Sequence, residues 1–150
     1  MKENPMNLTK TMTCVCMLAV AALMPGTVRA DAESTAARCV AKVQNTVDRS
    51  ATVVSDRTSE TLQVIDRLLS SGRVEAAIAA ARDCVRETRS DLRLAGNYIT
   101  DVANECIREL IRMDEHQLAR RVDNARKTAI DTLGSMLERQ EWVLSDALDD

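Results

Sequence analysis

Three cysteines, one histidine and four arginines are the residues beyond position 30 whose types and spacing offer chemistry. Cys39, Cys84 and Cys106 lie 45 and 22 residues apart. Thiolates bind copper or zinc, act as nucleophiles beside a histidine, or pair as disulfides in an oxidising compartment. His116 is the sole histidine and stands ten residues beyond Cys106, near an expected helix junction. It has no Glu or His partner at the spacing of a zinc or di-iron helix, and no Cys-x-x-Cys-His run is present for covalent haem. A copper or zinc site around Cys39, Cys106 and His116 is therefore the minor reading, beside a surface histidine. The same separation weakens a Cys–His nucleophile pair.

Arg82, Arg86, Arg89 and Arg93 recur every three or four residues and form one stripe on a helix. Such a stripe fits an anionic ligand or an acidic partner. Asp83, Glu87 and Asp91 interleave with it, which makes a solvated, neutralised face the leading reading. The other carboxylates are spread evenly, with no sign of a buried pair. No catalytic constellation emerges, and no cofactor is expected.

The elements that must position these groups are long helices. Over residues 74–113, one heptad seam carries Ile78, Val85, Leu92, Ile99, Cys106 and Met113. Its companion carries Val74, Ala81, Thr88, Ala95 and Val102, and fails at Glu109. Alternating steps of four and three keep both seams on one face, the coiled-coil pattern. A helix of this length runs roughly 60 Å and cannot bury its own stripe, so it needs partner helices.

The flanking segments supply them. Ala36, Val40, Val43, Val47, Ala51, Val54, Leu62, Ile65 and Leu69 trace a first helix, with Thr58 filling one turn. Ser70-Ser71-Gly72 interrupts the pattern; Gly72 suits a left-handed residue closing that helix, and Ser71 a cap for the next. Leu118, Val122, Ala125, Ala129, Leu133, Met136, Gln140, Val143 and Ala147 trace a third. Asp114 followed by Gln117 has the form of a capping box, with Met113 and Leu118 placed as its hydrophobic staple. The expected fold is all-α: an elongated antiparallel three-helix bundle or coiled coil, with helices over about 33–70, 73–113 and 115–148. The alternative is a four-helix bundle broken at Gly96-Asn97, a pair that can also end a helix.

Topology decides the cysteine pairing. If the chain turns near Ser71-Gly72 and both helices are continuous, Cys39 and Cys106 lie level within about one or two helical rises. Cys84 then lies level with Ser59, which leaves it free in the core or available to another chain. Reversal at Gly96-Asn97 would instead put Cys84 opposite Cys106. The three-helix reading predicts a Cys39–Cys106 disulfide, provided the two face each other at Cα separations below about 7 Å.

The start of the chain reads as an export signal. Lys2 and Lys10 precede an apolar run over residues 12–24, which Pro25-Gly26 breaks, and Val28-Arg29-Ala30 supplies a cleavage site. Thirteen apolar residues are too few to span a bilayer, so no stable membrane anchor is expected. Cys14 and Cys16 lie at the start of the run, which continues beyond them, whereas a lipoprotein cysteine closes it. Cleavage after Ala30 places residues 31–150 in the bacterial periplasm or outside the cell, as one helical domain. It shifts the net charge from −3 to −5, because Lys2, Lys10 and Arg29 leave with Glu3. That balance argues against nucleic acid as a partner. Tyr98 and Trp142 are the only aromatics, so base-stacking platforms are absent. Trp142 is expected as a packing anchor, with an exposed Trp marking a partner surface.

A final pattern is an echo: residues 81–87 (ARDCVRE) and 103–109 (ANECIRE) match at a displacement of 22, with a looser copy at 37–40 (ARCV). Coincidence in an Ala/Arg/Glu-rich helix is the leading reading, and an amphipathic repeat for lipid surfaces the rival. The expected function is therefore a non-catalytic interaction or structural module binding another protein or a second copy of itself. An exported bundle holding a small ligand or metal, or binding a lipid surface, is the alternative.

Overall fold

The structure, a computed structural model, describes residues 24–149. Residues 1–23, which hold Cys14, Cys16 and most of the expected export signal, lie outside the described residues. Three helices follow one another: α1 (Met24–Ser70), α2 (Val74–Arg112) and α3 (His116–Asp149). Each packs against both others in an up-down-up arrangement, and there is no strand among the described residues. The fold is the all-α three-helix bundle that the matched apolar seams require. No described helix is long and apolar enough to cross a membrane.

α1 starts at Met24, nine residues before the expected helix start near residue 33. Pro25 stands in its first turn, where the missing N–H would have had no intrahelical partner anyway. Residues 26–31 are exposed, and burial begins at Ala32. The packed bundle thus starts just beyond the expected cleavage point.

α2 runs unbroken through Gly96-Asn97, which removes the four-helix alternative. A Cβ at Gly96 would sit 3.3 Å from Ile130 Cδ1, so this glycine lies where α3 approaches α2 closely. The buried line along α2 departs from the strict heptad. It begins at Ala77, Ala81, Cys84 and Thr88, passes to Leu92, Ile99 and Cys106 on the first seam, and ends with Ala103 and Leu110, while Val74 and Glu109 are exposed. An α-helix drifts by about 20° per heptad relative to a 3.5-residue repeat, and five heptads suffice to carry burial from one seam to the other.

The core divides into three clusters along the axis. The first is built of small residues around Cys39 and Cys106, with Ala32, Ala36, Ala103, Leu110, Ala119 and Val122. The middle one holds Val43, Val47, Val54, Leu92, Ile99, Ala129 and Leu133. The third, beside the α1–α2 turn, holds Ile65, Ala77, Ala81, Cys84 and Leu144.

Both chain reversals use the same device. Gly72 adopts φ 72°, its N–H bonds to Leu69 C=O at 2.9 Å, and Arg73 N–H reaches Leu68 C=O at 2.8 Å. Asp114 adopts φ 61°, its N–H bonds to Ile111 C=O at 3.0 Å, and Glu115 N–H reaches Leu110 C=O at 2.9 Å. This is the Schellman pattern, in which a left-handed residue folds two N–H groups back onto the last-turn carbonyls. Two expectations are corrected here. Asp114 closes α2 rather than capping α3, because α3 begins at His116 and its first intrahelical acceptor is Glu115 C=O. Ser71 does not cap α2 either, since its hydroxyl donates back to Arg67 and Leu68 carbonyls. The Asp114 placement has a measurable sign. Left-handed backbone costs a non-glycine residue roughly 1–2 kcal/mol, less for Asp, so Asp114→Gly should stabilise the protein by about 0.5–1 kcal/mol. Loss of a true N-cap to glycine would instead cost a few tenths. The midpoint of a urea titration distinguishes the two.

Candidate functional site

Cys39 and Cys106 face each other across α1 and α2 at disulfide distance, with Cα atoms 6.6 Å apart. That lies inside the range that a disulfide bridges without moving the backbone. Both are buried in the first cluster, at the end of the bundle near the α2–α3 turn. Paired, neither supplies a thiolate to a metal or a substrate. His116 does not join them: its imidazole is 63% exposed and its Nε2 lies 3.1 Å from Asp114 Oδ1. No group of three metal-binding side chains occurs among the described residues.

Cys84 is free and buried. It belongs to a polar layer that the sequence reading did not assemble. Gln140, only 2% exposed, donates from Nε2 to Thr58 Oγ1 at 2.8 Å and contacts Cys84 Sγ at 3.5 Å. Its Oε1 has no partner. Thr58 donates onward to Val54 C=O at 2.6 Å. Fully buried Thr88 accepts from Arg57 Nη1 at 3.2 Å, and Arg57 Nη2 reaches Asp91 Oδ2 at 2.8 Å. All three helices contribute, and the layer separates the middle cluster from the third. An unpartnered buried acceptor costs about 1–3 kcal/mol. Thr58, Thr88 and Gln140 each stand at a seam position, which was the signal available beforehand.

The arginine stripe is exposed throughout and only partly neutralised. Arg86 pairs with Asp83 at 2.9 Å and Arg89 with Glu141 of α3 at 2.7 Å. Arg82 and Arg93 have no ion pair among the described residues. Elsewhere Asp123 accepts from Lys127 Nζ and Arg126 Nη2, both at 2.7 Å. Lys127 first, then Arg126, holds its carboxyl below the ordinary value. That contribution is present above the usual carboxylate range and fades as pH falls through the lowered one. It is solvated and small.

The aromatics give the clearest departure from expectation. Trp142 is 67% exposed and Tyr98 51%, so neither anchors the core. The buried line of α3 runs through Leu133, Gln140 and Leu144, and Trp142 falls between its members on the outer side. Tyr98 overhangs a groove of about 540 Å³ between α1 and α2, with Val53 on the facing rim and Lys42 and Arg49 beside it. Compared with protein-family models, curated proteins and solved structures, the chain matches none.

Proposed function

We propose that this is a non-catalytic exported helical bundle that works through its outer surface as a protein-interaction or structural module. One observation carries the reading: both aromatic residues of the chain stand exposed, while the core is built from aliphatic residues, alanine and cysteine, with buried threonines and Gln140. Aromatic side chains bury 150–250 Å² each and dominate interface energetics. Leaving them in water is costly unless a partner covers them, and Trp and Tyr are enriched among the residues that carry binding energy.

Trp142→Ala should therefore leave folding stability within about 0.5 kcal/mol, as exposed substitutions do, yet weaken partner binding at least tenfold. Denaturant titration reads the first effect, and co-purification from the native envelope fraction the second. Unchanged capture by both Trp142→Ala and Tyr98→Ala would overturn the proposal, as would a turnover activity abolished by changing one polar residue. Export carries its own expected outcome. The intact mass of the exported protein should begin at Asp31; retention of residues 1–30 would contradict periplasmic placement.

A further inference from the structure

We infer that the partner recognised by these surfaces includes a second copy of the chain, docked ridge into groove. The inference rests on the interaction reading above and names its occupant. The groove is the one between α1 and α2. Its floor includes Leu92 and Ala95, and its rims carry the exposed apolar groups Val53 and Tyr98. Two cations line it without ion pairs, Lys42 and Arg49, whereas Arg57 farther along is held by Asp91. Seven residues separate Lys42 from Arg49, about 10.5 Å along the helix.

The complementary ridge lies on the opposite side of the same molecule. α3 packs against both α1 and α2, so its outer face points away from their groove. That face presents Glu138, Trp142 and Asp146 at steps of four residues, all exposed. Neither acid has an ion pair among the described residues. Eight residues separate the two carboxylates, about 12 Å, with the indole midway. The ridge therefore repeats the groove's charges with opposite sign at nearly the same spacing, and its indole falls at the level of Tyr98, which lies between Lys42 and Arg49 in the register set by Cys39 and Cys106. A ridge laid between two helices is also ordinary helix packing, with α3 of the neighbour in the place a fourth helix would take.

Ridge and groove on opposite faces make the contact heterologous. A two-fold axis cannot close it, so copies add head to tail. The net charge of −5 after cleavage at Ala30 opposes the approach at long range, which limits association to high local concentration.

Sedimentation velocity of residues 31–150, from micromolar to millimolar, tests this. The wild-type average mass should rise past the dimer. Lys42→Glu/Arg49→Glu and Glu138→Lys/Asp146→Lys should each be monomeric, with helical circular dichroism unchanged, because like charges then meet. Mixing those two variants should restore association. Mixing the groove-reversed variant with Trp142→Ala should stop at dimers, since one native ridge and one native groove remain. Wild type that stays monomeric throughout, association surviving both reversals, or loss of association in Arg82→Glu/Arg93→Glu instead would each overturn the inference. Monomeric protein that still captures a distinct envelope protein through Trp142 would remove self-docking and leave the interaction reading standing. Absence of both would remove both.

Discussion

Replacing Cys39 and Cys106 together by alanine is expected to lower the free energy of unfolding by about 4 kcal/mol. The pair closes a loop with a sequence separation of 67 residues, and chain-entropy arguments give about 4 kcal/mol for a loop of that size. Both sites sit among small buried residues, so each alanine removes little volume and leaves little cavity. The loss should therefore come mainly from freeing the unfolded chain. Chemical denaturation of the oxidised wild type, the reduced wild type and the double variant separates the contributions. Reduced wild type should fall close to the double variant. A midpoint equal in all three would mean that the two cysteines are not bonded in the folded protein.

The second large effect concerns the middle of the bundle. Ile99 is fully buried in the cluster with Leu92 and Leu133, whereas Ile111, twelve residues along the same helix, is 49% exposed. Ile99→Ala should cost about 2–5 kcal/mol, combining lost transfer energy with the cavity left behind. Ile111→Ala should stay within about 0.5 kcal/mol. Identical chemistry at both sites makes burial the variable. Equal losses at the two positions would mean that Ile99 does not lie on the buried face of α2, because the comparison cancels side-chain size.

The axial arrangement of this fold was legible because it depends on lengths and periods. An unbroken stripe through Gly96 fixes where α2 lies, and Gly72 fixes where it begins; together they bring Cys39 level with Cys106. What escaped the sequence depends on residue types with two physical uses. Aspartate suits both a helix N-cap and a left-handed residue, and only the backbone at Asp114 shows which role it takes. Thr58, Thr88 and Gln140 are individually tolerable in seams, and their union needs contacts spanning 82 residues. Trp142 lies two positions from Gln140 and from Leu144, so a modest error in helix phase turns an anchor into a surface group.

The Cys39–Cys106 crosslink also determines how the molecule responds to tension. Pulled from its two ends, the oxidised chain transmits force through the sulfur bridge and withholds the enclosed segment, whose sequence span is 67 residues. At roughly 3.4 Å per extended residue, that is about 230 Å of contour that cannot pay out. α3 lies wholly outside the enclosed span, as do residues 24–38 of α1, so these parts bear the load directly while residues 39–106 stay closed off from it. The reach of the pulled chain is thereby capped when the two sulfurs are bonded and released when they are reduced.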